Sequence, residues 1–179
     1  MPALSSPSPS VVESVAAPAA TRAPVVETYF SPKGGCTDAI VARIEKSKSI
    51  RVLAYSFTSK PIIAALIVSQ QKYGDVKVVL DREDEDSDQS KQLMDAGIPV
   101  WIDKMHAIAH QKVMIFDGEI TEEGSFNYTQ QAETSNSENC NFIHIGAVSQ
   151  DYLSNWELHQ SHSVVPGTTP VSTKKKRFK

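Results

Sequence analysis

Residues 110–129, HQKVMIFDGEITEEGSFNYT, constrain this chain more than any other stretch. At their centre Val113, Met114, Ile115 and Phe116 form an unbroken apolar run, the pattern of a strand buried on both faces. His110 and Lys112 lie two residues apart on one side of the run, and Ser125 and Asn127 two apart on the other. Side chains in an extended strand repeat every second residue, so each pair shares a face. One pair sets an imidazole beside a fixed cation. The other offers a hydroxyl and an amide that hydrogen-bond to oxyanions. A buried strand with these four groups at its end is a candidate phosphate site. With ordinary residue frequencies, His-x-Lys-x4-Asp followed by Gly-Ser-x-Asn at this offset arises by chance in about one chain in a million. A plain buried strand with a polar hairpin would leave the His–Lys pair without a reason.

The surrounding pattern predicts an α/β fold, a mixed β-sheet sandwiched by α-helices. Strands are expected at 25–30, 50–57, 76–80, 98–102, 113–116, 120–122 and 141–145. Thr37 or Asp38 should cap a helix running to Lys48 with Ile40, Val41 and Ile44 on one face. Ser59 and Pro61 should open a second helix that Gly74 closes. The acidic run Asp81–Asp88 leads into a third helix, stopped by Gly97. A closing helix at 150–160 should turn Tyr152, Leu153 and Trp156 inward. Residues 1–24, rich in Ser, Pro and Ala, read as a disordered arm, residues 25–163 as one domain, and residues 164–179 as a disordered basic tail.

Composition narrows the function classes. The net charge is -3, so a nucleic-acid site has to be a local groove and not a global field. Two distant cysteines, Cys36 and Cys140, are neither a disulfide framework nor a zinc quartet. No apolar run approaches the ~20 residues of a membrane helix, and the N-terminus lacks the layout of a signal peptide. The expectation is a soluble protein with no stable membrane association; its compartment is left open. Asp84, Asp86 and Asp88 imitate the start of a calcium loop, but Gln89 and Asp95 stand where that loop needs Gly and Glu. His106 and His110 would face one metal only on a helix. His159 and His162 suit the C-terminal end of a helix, and His144 a strand. None has a third ligand at a recognisable spacing, so no metal or cofactor is expected.

His110-x-Lys112-x4-Asp117 with Gly124-Ser125-x-Asn127-x-Thr129 resembles the HKD motif of the phospholipase D superfamily. A short chain with a single copy resembles that superfamily's small bacterial endonucleases. The likeness extends upstream through residues 49–58 and downstream through Ala132–Asn139. It implies a metal-independent phosphodiesterase acting on nucleic acid. In that scheme His110 attacks phosphorus and forms a covalent phosphohistidine, Lys112 balances the charge, and Ser125 and Asn127 bond the non-bridging oxygens. A nucleophilic imidazole needs a partner on its other nitrogen. Asp117 lies an odd number of residues from His110, so a regular strand would turn it away, and its expected role is to support the backbone. Glu138 is similar to the carboxylate that fills the role in single-motif nucleases. The leaving oxygen needs an acid, and the chain has no second His-x-Lys. Family members with one motif form a homodimer with a shared active site, which would supply a second His110. The alternatives are a phospholipase D cleaving lipid head groups, disfavoured because no exposed apolar run is seen in the sequence, and an inactive nucleic-acid-binding module.

Overall fold

The computed structural model describes residues 25–168. The expected N-terminal arm at 1–24 and the Lys/Arg cluster at 174–179 lie outside these residues. Seven strands form one sheet in the order β1-β7-β6-β5-β2-β3-β4. These are β1 (Val26–Ser31), β2 (Ile50–Ala54), β3 (Val76–Asp81), β4 (Val100–Asp103), β5 (Lys112–Phe116), β6 (Ile120–Gly124) and β7 (Glu138–Ile143). Strands β2, β3 and β4 run parallel to one another, linked by helices, and the β5–β6–β7–β1 half is antiparallel. The sheet is therefore mixed, as the alternation of strand and helix in the first half of the chain predicts.

Both faces are covered. On one, α1 (Cys36–Lys46), α2 (Lys60–Tyr73) and α3 (Asp88–Asp95) pack over the larger core, which includes Ile40, Ile62, Leu66, Val52, Met114 and Phe116. On the other, α5 (Gly146–His162) lies across the sheet and buries Trp156 against Leu53, Val79, Val113 and Ile115, with Tyr152 and Leu153 beside it. The Trp156 indole donates to the Val52 carbonyl at 2.8 Å, which satisfies its one polar atom. Strand β5 is buried at all five positions and its residues alternate between the two cores, so the apolar run of the sequence is the central antiparallel strand. No helix among the described residues is long and apolar enough to cross a membrane.

Several local expectations are corrected. Neither Thr37 nor Asp38 caps α1. Gly35 is the N-cap, at φ 82°, and the cap is completed from afar by the Glu133 carboxylate, which accepts from Gly35 N at 3.2 Å and Thr37 N at 2.7 Å. Strand β2 stops at Ala54, and Phe57 makes an isolated bridge to Tyr128 instead. The third helix begins at Asp88, capped by the Ser87 hydroxyl, after a single 3-10 turn at Arg82–Asp84. The closing helix begins at Gly146 and not at 150. A short helix, α4 (Gln130–Thr134), was not foreseen. Val164, placed in the tail by composition, pairs with Ile102 of β4.

Candidate active site

The site is built at one end of the two central antiparallel strands. Lys112 opens β5 on the face that carries Met114 and Phe116, and Gly124 closes β6. After Gly124 the chain keeps a period of two: Phe126 and Tyr128 are fully buried, while Ser125 and Asn127 point to the opposite side. Tyr128 is anchored from both ends. Its carbonyl accepts from Thr58 N and Ser59 N, each at 2.8 Å, and its hydroxyl donates to Glu122 at 2.5 Å. Gly124 answers to a packing demand, since a Cβ there would strike the carbonyl oxygen of Asn139 on the paired strand.

One open cleft is lined by His110, Lys112, Gly124, Ser125, Asn127 and Glu138. The residues singled out in the sequence as two separate pairs thus meet in space. The Lys112 ammonium donates to the His110 carbonyl at 2.8 Å and lies 5.2 Å from the centre of the Tyr55 ring. Burial lowers the Lys112 pKa from its ordinary value, and the nearby Glu138 charge works against that shift. The His110 ring is tilted against Tyr55, with centroids 4.7 Å apart. Tyr55 lies within the upstream stretch of likeness, and it packs behind both His110 and Lys112.

Glu138 is held on both oxygens. The Ser125 hydroxyl donates to one at 2.6 Å, and the Asn136 amide donates to the other at 2.9 Å. Asn139 N in turn donates to Ser125 Oγ at 3.1 Å. The expected hydrogen bond from the His110 imidazole to Glu138 is not formed among the described residues; both Glu138 oxygens are taken by Ser125 and Asn136. Asn127 Oδ1 is buried with no hydrogen-bond partner among the described residues. Asp117 sits at the far end of β5, outside the cleft, at φ 55°. Its Oδ1 accepts from Lys48 N at 2.8 Å and Ser49 N at 2.9 Å, which ties the hairpin to the turn before β2.

Sequence reasoning missed the residues that position His110. Asp81, fully buried at the end of β3, accepts from Ala109 N at 2.5 Å and from Glu83 N at 3.0 Å. It fixes the backbone one residue before the imidazole. Of the other histidines, His159 and His162 lie in the last turn of α5, as their spacing predicts. His106 lies in a loop and not on a helix with His110; its Nδ1 meets Asp103 at 2.8 Å. His144 follows β7 and approaches Glu27 at 2.7 Å. Asp84 of the acidic run is buried, and that burial, with Asp81 beside it, raises its pKa to about 6. Cys36 and Cys140 are both buried and lie against each other in the larger core as free thiols.

The fold and cleft define an α/β protein with a His/Lys/Ser/Asn constellation suited to phosphoryl chemistry. Residues 40–158 match the family model described as "Cardiolipin synthase, PLD-like domain". The chain belongs to the phospholipase D superfamily. It is 40% identical over 134 residues to a phospholipase D of Rickettsia typhi, a match covering 73% of this chain and 66% of that protein. The match thus spans just under two thirds of that relative's length. It is 27% identical to a mitochondrial cardiolipin hydrolase of Chlamydomonas reinhardtii, over 80% of this chain and 78% of the relative. Among solved structures it is similar to Nuc from Salmonella typhimurium, a phospholipase D family member. That match has a TM-score of 0.73 and 33% identity, and covers 78% of this chain and 96% of that one.

Proposed function

We propose that this phosphodiesterase of the phospholipase D superfamily hydrolyses nucleic-acid phosphodiester bonds through a phosphohistidine on His110, with no metal in the chemical step. The observation that carries the reading is the convergence of His110, Lys112, Ser125 and Asn127 on one cleft. The neutral imidazole attacks phosphorus, an N–P bond forms, and the bond to the leaving oxygen breaks. Lys112 and the Asn127 amide stabilise charge on the non-bridging oxygens. Ser125 can turn its hydroxyl from Glu138 to the same oxygens. Water then attacks the phosphohistidine and regenerates His110. The cleft holds one carboxylate, Glu138, already bonded to Ser125 and Asn136, a poor basis for a divalent metal pair.

The leaving oxygen must gain a proton as it departs. A homodimer with its twofold axis through the cleft would bring a second His110 as that acid. The same axis would bring a second Glu138, the carboxylate that a single chain does not deliver to its own His110. Support for a nucleic-acid substrate comes from the likeness of the single motif to small bacterial endonucleases.

A lipid head group is the second reading, and one structural observation favours it. Met105 and Ile108, on the loop that leads to His110, are 67% and 51% exposed, apolar surface that the sequence did not reveal. The experiment that tests both is a substrate panel: labelled single- and double-stranded DNA, RNA, and cardiolipin or phosphatidylcholine vesicles. It is run with and without brief EDTA treatment and quenched in denaturant. The expected result is cleavage of nucleic acid in EDTA, with label trapped on wild-type protein and not on His110→Ala. Turnover confined to the vesicles, or activity restored only by added magnesium, would overturn the proposal.

A further inference from the structure

A second cluster stands on the other side of the sheet from the cleft. Asp103, at the end of β4, points its Oδ2 at three imidazoles: His106 Nδ1 at 2.8 Å, His159 Nδ1 at 2.8 Å and His162 Nε2 at 3.3 Å. The four ligating atoms all lie within 4.8 Å of one another. The three rings form a closed triangle, with centroids 4.9, 5.2 and 5.3 Å apart. We propose that Asp103, His106, His159 and His162 form a structural site for a zinc-class transition-metal ion that clamps the end of α5 to the end of β4.

The geometry supports a cation more readily than a set of hydrogen bonds. A carboxylate offers about four lone-pair sites. The other Asp103 oxygen already accepts from Met105 N at 2.9 Å and His106 N at 3.3 Å, so three imidazole donors crowd onto the two sites of Oδ2. Around tetrahedral zinc, nitrogen and oxygen ligands at 2.0–2.2 Å stand roughly 3.3 Å from each other; the Asp103 Oδ2 to nitrogen spacings here are 2.8, 2.8 and 3.3 Å, and the whole set lies within 4.8 Å, so small side-chain shifts would close it on an ion. The donor set selects the metal: three imidazoles and one carboxylate suit zinc or its neighbours, whereas calcium and magnesium take mostly oxygen. Four protein ligands fill a tetrahedron and leave no open position, which is the character of a structural and not a catalytic centre.

The surroundings add what a metal site needs. Asp103 is fully buried and the His159 and His162 side chains are 10% and 14% exposed, while His106 at 45% leaves one way in. Backbone pairing places the ligands without help from the ion. Ile102 and Val164, the neighbours of Asp103 and close neighbours of His162, exchange two hydrogen bonds at 2.7 and 3.0 Å. Arg82 holds the loop by donating to the His106 carbonyl. The outer nitrogen of His159 meets the Gln111 side-chain amide at 3.2 Å, an outer partner that would fix the ring once the amide presents its oxygen. Gln111 lies between His110 and Lys112, so the clamp also steadies the strand entering the catalytic cleft. Asp103–His106 and His159–His162 read as D-x2-H and H-x2-H, two pairs more than fifty residues apart in the chain. Neither pair is specific alone.

The test uses the full chain without a polyhistidine tag, stripped of metal and titrated with zinc against a chromogenic chelator, then with cobalt(II) followed by visible absorption. The expected results are one zinc per chain, a cobalt spectrum of tetrahedral intensity without thiolate bands, and a melting temperature raised by about 5 °C or more on zinc addition. His106→Ala and His162→Gln should each weaken zinc binding about tenfold or more and abolish the thermal shift. His110→Ala and His144→Ala should bind as wild type. His106 is the most exposed ligand, so His106→Ala keeps the test valid if substitution at His159 or His162 prevents folding. Less than about a tenth of an equivalent of zinc bound at micromolar concentration, or binding unchanged in His106→Ala, would overturn the proposal and leave a hydrogen-bonded His/Asp cluster. Label trapping on His110 reads the catalytic proposal separately, so either can fail alone.

Discussion

The backbone N–H of Ala109 donates to the buried carboxylate of Asp81 at 2.5 Å, so the end of β3 holds the residue immediately before the candidate nucleophile. Asp81 accepts a second backbone hydrogen bond from Glu83, and asparagine can accept on one atom only. Asp81→Asn should lose about 1–3 kcal/mol of stability. Turnover should fall while substrate binding stays near wild type, because the loss acts through His110 placement. Urea melts and a kcat-against-KM comparison read the two effects; unchanged kcat would remove Asp81 from the positioning of the site.

The two carboxylates at the ends of the motif should separate in their effects. Asp117 bonds to Lys48 N and Ser49 N away from the cleft, and Glu138 lies in it. Asp117→Asn keeps an Oδ1 that can accept both bonds, so it should cost less than about 1 kcal/mol of stability and leave kcat within about twofold. Glu138→Gln should lower kcat by at least about tenfold with less effect on folding. A larger kcat loss in Asp117→Asn than in Glu138→Gln, at equal stability, would reverse the assignment.

If two copies share one cleft, mixing tells. A heterodimer of wild type and His110→Ala keeps one imidazole where the reaction needs a nucleophile and an acid, so full turnover should be nearly lost. Independent sites would leave about half the wild-type rate. The measurement is activity of the isolated heterodimer, with sedimentation to establish its mass.

Glu122 gives a pH signature of stability. It is fully buried beneath Tyr128, and burial raises its pKa to about 8. An unfolded glutamate titrates near about 4.3. Between these two values the folded chain holds a proton that the unfolded chain has released, so the Glu122 contribution to stability falls as pH rises. The slope is at most about 1.4 kcal/mol per pH unit, and it flattens above the folded value. Glu122→Gln presents a neutral side chain of the same shape and should remove that slope. Denaturation series at several pH values compare the two proteins; parallel curves would place the charge elsewhere.

What was legible in the sequence was local. The apolar run Val113–Phe116 reports its own burial, and the period of two carries through Ser125 and Asn127 because both segments are extended. Tyr152, Leu153 and Trp156 show the inward face of α5. What was hidden depends on groups far apart in the chain. The cap of α1 comes from Glu133, on the short helix α4, so no nearby residue announces it. The start of α5 at Gly146 has no side-chain cap, and a glycine there reads as a break. Glu138 and Asn139 open β7 although they are polar, because their backbone pairs with Ser31 and Phe30 of β1, a partner more than a hundred residues away in the chain. The Asp103 cluster gathers residues from β4, a loop and α5, and its members looked like a strand end and a helix terminus.

The pairing of Val164 with Ile102 also bears on how molecules meet in solution. Strand β4 is an outer strand of the sheet, and the returning chain occupies backbone groups that another molecule could otherwise extend into an intermolecular ladder. Trimming the chain at residue 163 would therefore uncover a sheet border. A shortened form should clump at concentrations where the longer one stays dispersed, a difference that light scattering would register.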